Sequence, residues 1–135
     1  MPSPPVSVLV VESHDTLRQT LCLLLQGRGL GAVGASSGAV ALRMLRRGRP
    51  SAIVLELRLR EMSGIDLIRH IREQPALRQV PILALTVVSD RALHETARQA
   101  GCTAVLEKPL HADDLVDLVR GLSATPAPAL ATAVP

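Results

Sequence analysis

The chain has 135 residues, of which 47% are apolar, so it is long enough for one domain with a full hydrophobic core. It contains no Phe, Tyr or Trp, so Leu, Val, Ile and Ala must fill that core. The net charge is only +3 and the basic residues are dispersed, which argues against a dedicated nucleic-acid binder.

Five short apolar runs alternate with amphipathic segments along the chain. The predicted strands are residues 6–11, 31–35, 52–57, 81–86 and 103–106. The predicted helices are residues 16–26, 36–47, 64–73, a segment ending at 100, and 113–122. Asp15 is a candidate N-cap of the first helix, and Ser89 or Asp90 of the fourth. This alternation predicts an α/β fold with a parallel sheet, helices on both faces and right-handed crossovers.

The two ends of the chain differ in composition from the rest. Residues 1–5 form a Pro-rich lead-in, and residues 124–135 read ATPAPALATAVP. We expect one domain over residues 5–123, followed by a disordered Ala/Pro-rich tail or linker over 124–135.

Membrane and export signals are missing from the sequence. No apolar run approaches the roughly 18 residues that span a membrane. The first residues, MPSPPVSVLVVES, lack the basic region of a signal peptide. Cys22 and Cys102 are far apart and lack C-x-x-C spacing, so we expect two reduced, buried thiols. Together these features favour a cytoplasmic protein without membrane contact.

Polar residues follow four of the predicted strands. They are Glu12 and Ser13 after the first, Glu56 at the end of the third, Thr86 at the end of the fourth and Lys108 after the fifth. The carboxyl ends of parallel strands lie at one edge of the sheet, where open α/β proteins place their binding sites. These five residues are therefore the candidate site.

The segment GLGAVG at residues 29–34 matches the dinucleotide-binding pattern G-x-G-x-x-G. That pattern carries meaning only after a strand and at the start of a helix. In this chain it follows a helix and runs through the second predicted strand, so a helix terminator and a turn are the favoured interpretation.

Four segments around these positions resemble the receiver domain of bacterial two-component response regulators. They read VLVVE, LELRLREMSGIDLIRHIR, PILALT and GCTAVLEKPL, and the resemblance covers about residues 6–122. It implies a flavodoxin-like (βα)5 fold, a doubly wound parallel sheet with strand order 2-1-3-4-5.

The resemblance also implies roles for three positions near the expected phosphorylation site. The family has two acids after the first strand, where this chain has Glu12 and Ser13. It has a phosphate-accepting Asp after the third strand, where this chain has Glu56. Ser13 removes one charged Mg²⁺ ligand, and Glu56 moves its carboxylate by about 1.5 Å. We expect weak or absent Mg²⁺ binding, no metal ligand, no cofactor and no useful phosphorylation of Glu56.

The resemblance also covers three positions that take part in the conformational switch of family members, and this chain matches two of them. Thr86 and Lys108 fit the family's Thr or Ser and Lys, whereas Val105 stands where family members often have an aromatic switch residue. We expect an ion pair between Glu56 and Lys108. Two interpretations stay open: a built-in mimic of the activated state, or a static structural pair.

Among the remaining polar residues, Asp15 could supply the missing acid, but a capping role is favoured. His14 lies beside the site and is expected to be an exposed loop residue. His70, His94 and His111 have no metal-ligand spacing and are expected at the surface.

The resulting hypothesis is an atypical, non-enzymatic receiver that acts through protein contacts without phosphorylation. The alternative is a Mg²⁺-dependent receiver that accepts a phosphoryl group on Glu56. A third hypothesis is a small anionic ligand bound in a pocket bordered by Arg58, Arg60, Thr86 and Lys108. The expected partner is another protein or a second copy, through the fourth helix, fifth strand and fifth helix. Charged residues at this possible interface are Arg91, Arg98, Asp113, Asp114 and Asp117. Nucleic acid would be reached only through an output domain outside this chain.

Overall fold

A computed structural model describes residues 6–124 of the chain. Within them, five strands alternate with five α-helices. The strands are β1 Ser7–Val11, β2 Gly31–Ala35, β3 Ala52–Glu56, β4 Ile82–Thr86 and β5 Ala104–Glu107. The helices are α1 Asp15–Gly27, α2 Gly38–Leu45, α3 Gly64–Glu73, α4 Arg91–Ala100 and α5 Ala112–Ala124. The predicted tail over 124–135 lies outside the described residues, except that Ala124 still belongs to α5.

The strands form one parallel sheet with the order β2-β1-β3-β4-β5. This confirms the predicted flavodoxin-like fold and its strand order. The order reverses direction beside β1 and β3, so a crevice opens at the carboxyl ends of these strands.

The core consists of two layers, one on each face of the sheet. Alternate residues of each strand point to opposite faces, as the two-residue period of a strand requires. One layer joins side chains such as Ile53 and Leu55 to α2, α3 and α4. The other joins Val10 and Val54 to α1 and α5. Aliphatic packing therefore covers both faces of the central strands and leaves polar groups only at their ends.

The start of α1 corrects one prediction from the sequence. The N-cap is His14, whose ring Nδ1 accepts a hydrogen bond from the backbone N–H of Leu17 at 3.4 Å. The predicted cap, Asp15, is instead the first helical residue, and its carboxylate accepts from the Arg18 guanidinium at 2.7 Å. The nearby arginine competes for the carboxylate, so the preceding histidine takes the capping position. His14 is thus exposed but has a structural role.

A 3₁₀ turn at Pro75–Leu77, between α3 and β4, was not predicted from the sequence. The Arg72 guanidinium holds it in place by donating to the carbonyl oxygens of Leu77, Arg78 and Gly101. Burial lowers the pKa of Arg72, and three carbonyl acceptors offset that cost. One side chain therefore ties the end of α3 to the end of α4.

The two cysteines give a testable pH dependence. Cys102 is buried, Cys22 is only half-buried, and both are free thiols. Burial raises the pKa of each above the ordinary value of 9.0. As the pH rises, the unfolded chain loses these thiol protons first, so the free energy of unfolding should fall as the pH rises through and above the ordinary thiol pKa of 9.0. Urea unfolding followed by far-ultraviolet circular dichroism at several pH values measures this slope.

The control for this experiment is Cys102→Ala. This variant should have a shallower fall over the same pH range, whatever its stability at neutral pH. An unchanged slope would show that other groups cause the pH dependence.

No helix among residues 6–124 is long and apolar enough to cross a membrane.

Candidate functional site

The site lies at the carboxyl edge of the sheet. Among residues 6–124, four polar or charged residues are buried, and all four stand at the ends of central strands. Glu12 and Ser13 follow β1, while Glu56 and Thr86 are the last residues of β3 and β4. Since Val11 is paired with Leu55, Glu12 and Glu56 lie next to each other at this edge.

Lys108 reaches the same edge from the end of β5. Thr86 is paired with Glu107, and the backbone N–H of Lys108 donates to the Thr86 carbonyl oxygen at 2.8 Å. The Lys108 ammonium contacts Oε1 of Glu56 directly and lies 3.5 Å from Oε1 of Glu12. The ion pair expected between Glu56 and Lys108 is therefore present, and Glu12 joins it. The peptide bond between Lys108 and Pro109 is cis.

The other oxygen atoms of the site accept hydrogen bonds from loop backbone. Oε2 of Glu12 accepts from the N–H of His14 at 3.0 Å, and Oε2 of Glu56 accepts from the N–H of Arg58 at 3.3 Å. The Ser13 hydroxyl oxygen accepts from the N–H of Arg60 at 3.1 Å. Because every residue except proline has a backbone N–H group, the sequence does not reveal which of them donate to the site, and these three donors were not predicted.

Thr86 and Val105 occupy the two switch positions other than Lys108. The Thr86 hydroxyl oxygen accepts from the backbone N–H of Val88 at 3.0 Å. Val105 is partly buried and packs against the layer of the core that faces α2, α3 and α4. Neither side chain has a hydrogen bond to the carboxylate of Glu56 among the described residues.

The charge of the site comes from two carboxylates and one ammonium. The side chains of Arg58 and Arg60 are exposed at its border. Asp15 does not join the site, because Arg18 holds its carboxylate and thereby lowers its pKa. The structure thus joins three of the five candidate residues, Glu12, Glu56 and Lys108, in one charged group. Thr86 contacts Lys108 through the backbone, and Ser13 is buried at the same edge, where it accepts from Arg60.

The five charged residues of the possible interface are all exposed, but they differ in whether they pair with another residue of the same chain. Arg91, Arg98, Asp114 and Asp117 are exposed. Asp113 is also exposed, but its carboxylate forms an ion pair with Arg28, within the same chain.

His94 departs from the expected surface position. Only 15% of its side chain is exposed, and its Nε2 lies 3.1 Å from the Val88 carbonyl oxygen and 3.5 Å from Oε2 of Glu107. His70 and His111 are exposed, as predicted.

A five-stranded parallel sheet of this order, with acids, a Thr and a Lys at its carboxyl edge, defines a flavodoxin-like α/β domain with a charged site at its switch point. A family model described as the response regulator receiver domain matches residues 8–120. The chain therefore belongs to the receiver domain family of two-component response regulators.

Relatives and solved structures agree with this assignment. The chain is 27% identical to the polar-differentiation response regulator DivK of Brucella anthropi, over 86% of this chain and 94% of the relative. A putative response regulator from Chloroflexus aurantiacus superimposes with a TM-score of 0.84 at 30% identity, covering 90% and 99% of the two chains. The receiver domain of a sensor histidine kinase from Pseudomonas aeruginosa, solved with magnesium in its active site cleft, gives 0.83 at 28% identity, covering 90% and 100%.

Proposed function

We propose that this receiver domain is a pseudo-receiver, a cytoplasmic regulatory module that binds a partner protein without being phosphorylated. The observation that carries the proposal is the contact between the Lys108 ammonium and Glu56 at the position of the family's phosphate-accepting Asp. In this arrangement Glu56 already neutralises the lysine that would bind an incoming phosphoryl group.

The donor set at the site does not fit Mg²⁺. This ion prefers six oxygen ligands at 2.0–2.1 Å in octahedral geometry. The Ser13 hydroxyl replaces a carboxylate and already accepts from Arg60, while both Glu12 oxygens face donors, His14 N–H and the Lys108 ammonium. Within residues 6–124, no group of three or more His, Cys, Asp or Glu side chains is arranged to hold a metal ion. The proposed mechanism therefore contains no metal-dependent step.

We assign Glu56 to a static pair rather than to a mimic of the activated state. A carboxylate carries one charge, whereas a phosphoryl group carries nearly two and has three acceptor oxygens. The Thr86 hydroxyl oxygen accepts from the backbone N–H of Val88 and forms no hydrogen bond with the Glu56 carboxylate in the described part of the chain. In addition, Val105 cannot provide an aromatic rotamer change.

The test is intact mass after incubation with a small phosphodonor and Mg²⁺. The native chain should gain no phosphoryl group, because its acceptor is displaced and one acidic ligand is missing. The double variant Ser13→Asp/Glu56→Asp restores both features and should gain one group. A control, Ser36→Asp/Glu73→Asp, makes the same two changes at exposed positions and should gain none.

Modification of the native chain at Glu56 would overturn the proposal and establish the alternative, a phosphoryl-accepting receiver. Failure of the restored double variant would show that further parts of the site have diverged. In that case the proposal would rest only on the result that the native chain gains no phosphoryl group.

The partner surface proposed for this module comprises α4, β5 and α5. It carries exposed cations on α4, Arg91 and Arg98, and exposed acids on α5, Asp114 and Asp117. Separated charges of opposite sign suit either a protein partner or a second copy of the chain.

A further inference from the structure

A second polar pocket lies beside α4 and shares no lining residue with the Glu56 site. Its volume is about 380 Å³, within the range of small-molecule sites in proteins. Its lining residues are Ser89, Arg91, His94, Arg98 and Glu107. All five are polar or charged, so the pocket is suited to a polar ligand rather than to an apolar one.

The spacing of residues along α4 explains why three basic side chains line this pocket. Arg91, His94 and Arg98 are at positions i, i+3 and i+7 of one helix, so they lie on the same helical face. The two arginines are separated by about 10 Å along the helix axis, with the histidine between them. Their long side chains can approach one oxyanion from both sides.

The charges in the pocket are only partly compensated. Its carboxylate, Glu107, lies 3.5 Å from Nε2 of His94, which is held at the Val88 carbonyl oxygen. The guanidinium groups of Arg91 and Arg98 have no hydrogen bond or ion pair with any residue in the range 6–124. Guanidinium stays charged at any physiological pH. The pocket therefore presents two unpaired cations against one carboxylate.

We propose that this pocket binds a small phosphate-bearing ligand. Guanidinium groups match phosphate oxygens in bidentate geometry, and the Ser89 hydroxyl supplies a further donor. A protein segment suits the pocket less well, because protein interfaces depend on large apolar or aromatic anchors and the five lining residues include no aliphatic, Phe, Tyr or Trp side chain. Binding is reversible and does not involve Glu56, which is not among the lining residues.

The experiment is a titration of the ¹⁵N-labelled full chain with inorganic pyrophosphate, followed by amide chemical shifts. Saturable shifts should concentrate in residues 89–98 and at Glu107. In Arg91→Gln/Arg98→Gln the Kd should rise by about tenfold or more, since charge-assisted hydrogen bonds are lost. The matched control is Arg43→Gln/Arg47→Gln, which removes the same charge from exposed positions on and after α2 and should change the Kd by less than about twofold.

A second variant tests whether negative charge in the pocket weakens the binding of an anion. Glu107→Gln removes the carboxylate of the pocket and should tighten pyrophosphate binding by about threefold. Equal weakening in both arginine double variants would overturn the proposal, as would shifts centred on Lys108. Hexaglutamate that binds this pocket more tightly than pyrophosphate would also overturn it and assign the surface to an acidic protein segment.

Discussion

Replacing Gly64 with alanine should destabilise the domain by about 3 kcal/mol, at the upper end of the usual cost of overpacking. A Cβ at this position would lie 2.6 Å from the carbonyl oxygen of Glu56 and 2.6 Å from the Cα of Leu57. Both are backbone atoms at the end of β3, so no side-chain rotation can relieve the clash. Either the start of α3 or the end of β3, which carries Glu56, must therefore shift.

Urea unfolding measured by far-ultraviolet circular dichroism tests this expectation. Gly121→Ala is the matched control, because it makes the same substitution inside α5, where a Cβ would meet nothing within 4 Å. That change should stabilise the chain by about 0.5–1 kcal/mol through higher helix propensity. Equal stabilities for the Gly64→Ala variant and the native chain would contradict the close packing of α3 on β3.

Replacing Lys108 with methionine should cost about 2 kcal/mol of folding free energy. The substitution leaves the buried carboxylates of Glu12 and Glu56 without their shared cation, and removal of one partner of a buried pair commonly costs about 3–5 kcal/mol. The lysine side chain is 21% exposed, so water compensates part of the loss and the smaller figure applies.

A double-variant cycle isolates this electrostatic loss from the change in packing. Lys108→Met/Glu56→Gln removes one carboxylate together with the lysine, so it should recover about half of the lost stability. Glu56→Gln alone should cost less than Lys108→Met, because the ammonium keeps Glu12 as a partner. If the double variant loses as much free energy as the two single variants added together, the pair has no measurable coupling and the static role assigned to Glu56 is wrong.

The fold was predictable because its main signals are local and repeated. Five apolar runs alternating with amphipathic segments specify a parallel sheet, and α3 begins and ends at the predicted residues, Gly64 and Glu73. The meeting of Glu56 and Lys108 also followed from a general property of such sheets, since the carboxyl ends of all the parallel strands lie at one edge, and β3 and β5 are separated there only by β4.

Other features depend on contacts that residue patterns do not encode. Asp15 has the best residue type for a cap, yet Arg18 binds its carboxylate and His14 takes the position. The predicted surface histidine, His94, is fixed by a backbone carbonyl and by Glu107, which follows it by 13 places in the sequence. The first outcome depends on a competition between neighbouring side chains in one helical turn, and the second on a carboxylate that only the folded chain brings close.

The same limit applies within the site. Its acids could be located from the sequence, but their second oxygens are satisfied by main-chain N–H groups of His14 and Arg58. Those donors are present in every residue except proline, so only the loop conformation decides where they point.

The complete lack of aromatic side chains has a practical consequence for optical measurements. Without Trp or Tyr, the chain has almost no absorbance at the usual protein wavelength and no intrinsic indole fluorescence. A single tryptophan introduced in place of Val105 would be the source of all indole fluorescence from the chain. Its emission would follow the environment of β5 directly, so ligand or partner binding could be measured without an attached dye.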